Sequence, residues 1–502
     1  MPSPLPRRLN WPVLLMLLLA LGAILRLLEL TNPPLDFQPS RQLRNSLVAR
    51  DIYYHLLPEA NPQTIALTES FHRSVGQYEP PIIETMVAIT YRFSGGENYA
   101  APRILGTFFW LLSSLALFDI LRRSISPWAG LAAQAFYLIL PFSVQASRSF
   151  QPDPLMTSAF VIGIYFLYRW SEASAPLPVG LKSAESWKWA ILAGIFLGFA
   201  ALVKIVIAFF VGAAAIVLVL FTLQAGFWKS KQVWVMAFLM VLPALTYYVF
   251  LNSSRSSEYY LSWSVALFKL ITNVHFYSDW LGFIGSLFGL ASIFASLAGV
   301  FLAPPRLRWL LIGLWIGYLA YGLTLPFQMY THSYYHIQLI PILALGLAAL
   351  LNPIFETIAG MQPMRRVAFL AVIVALIGYQ SWVARSILVS EDFRHEPAFW
   401  ESVGESIPAN AEVIGLTQDY GYRLMLWGWR RISLWPLITD LAEARNTDRD
   451  NAAQFNDLTT GRDYFLVTAF NQLDKQPDLK EILEQYPIAA QGDGFVLYDL
   501  KP

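Results

Sequence analysis

The stretch "WKWAILAGIFLGFAALVKIVIAFFVGAAAIVLVLFTL", Trp187–Leu223, decides what kind of molecule this is. As a single helix at 1.5 Å per residue it would run roughly 55 Å, against a bilayer hydrocarbon core of about 30 Å. It must therefore fold as two membrane helices. Lys204, the one charge between Trp189 and Leu223, marks the turn. Composition agrees. Of the 502 residues, 56% are hydrophobic and 14% charged, whereas soluble domains carry about 25% charged residues. That deficit argues against a soluble enzyme and fits a multispanning membrane protein. The net charge of +1 supplies no field that would gather nucleic acid. The absence of cysteine rules out disulfides, thiolate metal sites and a cysteine nucleophile.

Outward from Trp187–Val203 and Ile205–Leu223, further apolar runs mark spans. They lie at Trp11–Leu30, Pro102–Leu121, Trp128–Gln145, Leu155–Trp170, Val233–Leu251, Leu281–Leu302, Trp309–Leu325, Ile337–Leu351 and Val367–Ala384. The first follows Arg7 and Arg8 and lacks a small-residue cleavage site, so it reads as an uncleaved span. With the N-terminus cytoplasmic, the loops holding Arg122/Arg123, Arg169/Lys182, Lys229/Lys231, Arg306/Arg308 and Arg365/Arg366 all become cytoplasmic, as the positive-inside rule requires. One more crossing would invert them, so Ile82–Phe93 reads as an interfacial helix. About eleven spans leave the C-terminus outside.

From 391 the composition changes. The tail, 391–502, reads as helix Pro397–Ser406, strand Glu412–Thr417, helix or strand Tyr422–Trp427, strand Tyr464–Thr468, helix Leu479–Gln485 and strand Phe495–Leu500. This predicts a small extracytoplasmic α/β domain behind a membrane module, 1–390, whose first outer loop covers about 31–101. The tail shows no motif of its own and is expected to assist a site in the outer loops, not to form it; a chain cut at Ala384 should therefore keep that site.

The outer loops gather charge that is costly near a bilayer and usually functional. Loop one, opening "LDFQPSRQLRNSLVARDIYY", brings Asp36, Arg41, Arg44 and Arg50, then Glu79 and Glu84. "SVQASRSFQPDPL" brings Arg148 and Asp153 to the same side, and Lys204 occupies the next outer turn. Arg255 follows, then "QMYTHSYYHIQLIP" with His332, Tyr334, Tyr335 and His336. A carboxylate can take a proton from an acceptor hydroxyl, cations can hold a phosphate, and aromatics can stack on a sugar. Simpler roles compete. Asp36 could cap a helix starting near Pro39, and Asp153 could cap the fourth span. Arg41, Arg44 and Arg50 could meet lipid headgroups, and Lys204 could snorkel. His332 and His336, four apart, fit one helix face and a divalent metal ion, with Glu84 as a further ligand. They fit ordinary interfacial packing equally well.

In order and sidedness these pieces resemble the membrane-embedded GT-C glycosyltransferases of the protein mannosyltransferase / aminoarabinose transferase superfamily, glycosyltransferase family 39-like. The pieces are Asp36 with the run from Arg41 to Tyr54; "YEPPI" and "APRILGTFFWLL"; "SRSFQPDPLM"; and "ALVKIVIAF" with "HSYYHIQLIPILALGLAAL". The resemblance implies a GT-C fold and an inverting transfer from a polyprenyl-phosphate-linked sugar to a hydroxyl of a cell-envelope acceptor on the outer face of the plasma membrane. It gives Asp36 the general-base position, Asp153 the second acidic position and Lys204 the position near the donor phosphate. Two departures stand out. Phe37 follows Asp36 where relatives often have Glu, and Glu79 precedes the prolines where relatives often have His or Lys. The rival classes are a flippase of lipid-linked sugars and a non-catalytic scaffold. A transporter would place charged or broken helices at the bilayer midplane, whereas these span centres are apolar.

Overall fold

The computed structural model describes residues 10–76, 78–174, 183–252, 267–438 and 451–501. Among them, seven helices are long and apolar enough to cross a membrane, and nine spans result if two sharply bent helix pairs each count as one. The two other expected spans are helices of a different kind. Trp11–Arg26 is apolar but has only 16 residues. Pro152–Ser174 has 23 residues, most of them buried and none exposed, and packs against the helices Ala100–Ser124, Ser183–Val203 and Ala208–Leu223. A helix wrapped in protein has no need of a lipid-facing apolar surface. Its opposite is Pro363–Val389, where Val367, Phe369, Val372, Val374 and Leu376 all point outwards. Lipid is the solvent that suits them.

Two expected spans are broken. Trp128–Gln145 bends by 63° between Pro127–Ile139 and Pro141–Ser147. Pro141 lacks an N–H and pushes Leu140 out of the helical region, to φ −50° and ψ 126°. Leu281–Leu302 bends by 97° between Val274–Phe288 and Leu290–Leu302. Gly289 sits at the break with φ +76°, a conformation that favours glycine. The predicted turn at Lys204 is present. The helix stops at Val203, Lys204 is extended (φ −156°, ψ 118°), and a short 3-10 turn Ile205–Ile207 leads into Ala208–Leu223.

Contacts divide the chain into two units. The first comprises Met1–Leu30, Gln77–Ile83 and Ala100–Glu391; the second comprises Thr31–Gly76, Glu84–Tyr99 and Asp392–Pro502. Among the described residues the regular elements of the first are all helices. Where its helices pack closely, side chains are small: a methyl group on Gly299 would collide with the backbone of Gly346.

The second unit is built on a five-stranded mixed sheet. Its strands are β1 Val413–Leu416, β2 Ser433–Leu434, β3 Tyr464–Val467, β4 Ile488–Gly492 and β5 Phe495–Asp499, in spatial order β2-β1-β3-β5-β4. β1 runs parallel to β2 and β3, while β5 is antiparallel to β3 and β4. Side chains alternate between the faces as the period of two demands. Ile414, Leu416, Phe465 and Val467 meet the helices Asn451–Thr459 and Pro477–Leu483 through Phe455, Leu479 and Leu483. Val413, Leu466 and Leu497 face the other way, into a core with Trp400, Leu424 and Trp427. That core is completed by Leu43, Leu47 and Val48 of helix Pro39–His55 and by Phe71 and Val75 of helix Pro62–Val75. The first loop is thus part of one hydrophobic core with the tail, not an appendage of the membrane module. Cutting the chain at Ala384 would lay that core open. "LMLWGWRRISLWP" is core: Trp427 and Trp435 are buried on opposite faces of the sheet.

Candidate active site

The described residues of the first unit include a buried cluster of opposite charges. Asp153 stands in the first turn of helix Pro152–Ser174, where a carboxylate suits the helix dipole. The Lys204 ammonium donates to both Asp153 oxygens, at 2.8 and 3.0 Å. Glu79, directly before Pro80 and Pro81, brings Oε1 to 4.0 Å from the same nitrogen. The side chains of Lys204, Glu79 and Asp153 are 2%, 5% and 1% exposed. Tyr334 and Tyr335, on the 3-10 turn Ser333–His336, set their rings 5.0 and 5.2 Å from the ammonium. A point charge on a flexible stem is thus fixed by two carboxylates and two aromatic faces. Neither the capping of a span by Asp153 nor snorkelling by Lys204 accounts for this geometry. Because the pair is buried, removing either partner would strand the other charge.

The remaining expected residues have other surroundings. Arg148 is buried and donates to the Glu29 carbonyl at 3.1 Å. Arg103 of "APRILG" donates to the Glu29 and Leu30 carbonyls at 3.1 and 2.9 Å. Together they hold the turn that follows the first helix, which passes through Glu29 at φ +51°. Arg255 lies outside the described residues. The expected metal pair does not form. His332 precedes a 3-10 turn rather than sharing a helix face with His336. His336 engages the Tyr318 hydroxyl through Nδ1 and the Met329 carbonyl through Nε2, each at 3.0 Å. Among the described residues no three His, Cys, Asp or Glu side chains converge as a metal site.

In the second unit, Asp36 is half-buried and accepts from the Gln42 amide at 3.1 Å. The same amide donates to the Phe37 carbonyl at 2.7 Å. Gln42 is one turn into helix Pro39–His55, so the loop acid is held by the helix that follows it. Asp36 does not cap that helix; the capping position belongs to Gln38, in the left-handed region at φ 49°. Arg41 is half-buried on the same helix. Arg44 donates to Asn45 and to the carbonyls of Val75 and Gly76, tying this helix to the end of Pro62–Val75 rather than facing headgroups. Glu84 is buried in the first turn of Ile82–Ser94. Asp419 and Arg423, which carried no motif, form a structural network with Glu396, at 2.7 and 2.9 Å. Burial raises the Asp419 carboxyl above its ordinary value despite the pull of Arg423.

Residues 78–250 match the family model described as dolichyl-phosphate-mannose-protein mannosyltransferase. Glu79, Arg148, Asp153 and Lys204 all lie within that segment. The fold is similar to that of ArnT from Cupriavidus metallidurans bound to undecaprenyl phosphate, at 13% identity and TM-score 0.58 over 96% of this chain and 97% of that one. The apo state of the same protein gives TM-score 0.60 with the same identity and coverage. The archaeal oligosaccharyltransferase AglB from Archaeoglobus fulgidus, in complex with an inhibitory peptide and a dolichol-phosphate, gives 0.57 at 13% identity over 91% of this chain and 69% of that one. No curated protein sequence matches. The resemblance read from sequence is borne out: the family matches over 78–250, and the GT-C fold extends over nearly the whole chain.

Proposed function

We propose, from that family segment and that fold, that the protein transfers a sugar from a polyprenyl-phosphate-linked donor to a hydroxyl acceptor on the outer face of the plasma membrane, with inversion at the anomeric carbon. The observation that carries this reading is the buried Asp153–Lys204–Glu79 cluster beneath Tyr334 and Tyr335, inside the matched segment. Asp36, held by Gln42, serves as the general base. It takes the acceptor's proton as the hydroxyl oxygen bonds to the anomeric carbon. The bond from that carbon to the phosphate oxygen breaks, and polyprenyl phosphate leaves with the electron pair. Lys204 holds the Asp153 carboxylate in place beside the donor, so its first role is toward Asp153.

Purified protein given polyprenyl-phosphate sugars and an envelope extract should release polyprenyl phosphate. Asp36→Asn keeps shape but cannot act as base, so it should lose about 10²–10⁴ in turnover while remaining folded. Turnover of Asp36→Asn within a few-fold of wild type would remove Asp36 from this role.

A further inference from the structure

Gln338 is fully buried, and neither its amide oxygen nor its amide nitrogen has a hydrogen-bond partner among the described residues of the protein. Folded proteins rarely keep such a group unless water or a ligand completes it. Its side chain stands beside the hydroxyl of Tyr321 and interacts with it, but not in hydrogen-bond geometry; that hydroxyl is also buried and has no hydrogen bond among the described residues. The Tyr321 ring stacks on Tyr335 with 6.1 Å between centroids. Tyr335 in turn faces the Lys204 ammonium that holds Asp153. Tyr321, with Gln338 beside it, is therefore separated from the Lys204 ammonium by the ring of Tyr335, and neither side chain has its hydrogen bonds completed among the described residues.

We propose that Tyr321 and Gln338 read hydroxyl groups on the sugar of the lipid-linked donor, an assignment that rests on the donor reading above. An amide offers two donors and an acceptor, and a phenol offers one donor and an acceptor. That mixture matches a polyol. A phosphate would ask for donors only, and an isoprenoid tail for neither. A site that hydrogen-bonds a substrate hydroxyl also rejects ligands lacking it, because its own polar groups are then left unpaired. Gln338 and Tyr321 would thus set which sugar is accepted, while Asp36 and Asp153 serve the transfer itself.

Wild type, Gln338→Met and Tyr321→Phe can each be titrated in detergent with undecaprenyl phosphate and with its glucose, mannose and arabinose esters. Wild type should bind one of the sugar esters more tightly than undecaprenyl phosphate. Each variant should lose about three- to tenfold of that gain, the net worth of a neutral hydrogen bond, and keep its affinity for undecaprenyl phosphate. Melting temperatures should be unchanged or higher, since an apolar isostere removes a buried polar group. Full retention of the sugar gain in both variants would overturn the proposal. So would equal wild-type affinity for all four lipids, or parallel loss of both affinities together with a fall in melting temperature. Wild type binding none of the four would instead refute the donor reading, and this inference with it.

Discussion

Arg50 and Lys204 are both buried cations paired with a carboxylate, and they are held in opposite ways. Arg50, in the second unit, places Nε 2.9 and 3.0 Å from the Glu97 oxygens and donates through Nη1 to the Leu426 carbonyl at 2.6 Å. Its guanidinium also lies 4.3 Å from the Trp429 ring centroid. The planar fork stitches the first-loop helix to the tail and is consumed in doing so. Lys204, in the first unit, bonds the carboxylate of Asp153 with two tyrosine rings alongside. A guanidinium that binds backbone carbonyls holds a fold together. An ammonium that sits against carboxylates and aromatic faces holds a charge in place. Burial and pairing alone do not separate the two roles; the identity of the partners does.

The largest effect should come from removing the tail segment of the second unit, Asp392–Pro502. A chain ending at Glu391 loses Trp400, Leu424, Leu466 and Leu497 from the shared core, and with them the carbonyls that hold Arg50. Hydrogen exchange should then show helices 39–55 and 62–75 without protection. Native protection of those helices in the truncated protein would mean the loop folds by itself.

Next comes Lys204→Ala. Leaving Asp153 buried and unpaired should cost about 3–5 kcal/mol of stability in the first unit. Lys204→Met with Asp153→Asn removes both charges and should recover most of it, as read by thermal unfolding in detergent. If Lys204→Ala unfolds like wild type, the pair is not buried as described.

A smaller loss is expected for Arg50→Lys. The ammonium keeps the charge but cannot meet Glu97 and a carbonyl in one plane. About 1.5–3 kcal/mol should disappear, the worth of hydrogen bonds to a charged group. Hydrogen exchange should locate the loss in the second unit and leave the first unchanged; a loss spread over both would erase the contrast drawn here.

Much of this was legible in the sequence because it depends on local pattern. The turn at Lys204 follows from helix length against bilayer thickness. The tail strands at 413–416, 464–467 and 495–499 announce themselves by β-rich runs. What was not legible depends on partners distant in sequence. Nothing near Leu43 or Phe71 says that their apolar faces belong with Trp400 and Leu466. The four-residue spacing of His332 and His336 assumes a helix, yet the chain makes a 3-10 turn there. The bends at Leu140 and Gly289 hid inside apolar runs because hydropathy counts residues and not dihedral angles. Pro141 and Gly289 were the available signals. Tyr321 carried no signal because a tyrosine in an apolar span, with Tyr318 one turn before it, reads as ordinary packing. Asp153 and Lys204 were each picked out, but their pairing spans 51 positions and had no signature.

The central claim is that Asp153 and Lys204 act as one unit in sugar transfer. It is tested most directly by a double-mutant cycle on kcat/KM, using Asp153→Asn, Lys204→Met and the double variant with a polyprenyl-phosphate sugar donor. If Lys204 works through Asp153, the double variant should be no slower than the slower single one, as for residues that act together. If Lys204 binds phosphate on its own, the two losses should multiply, and that result would contradict the account.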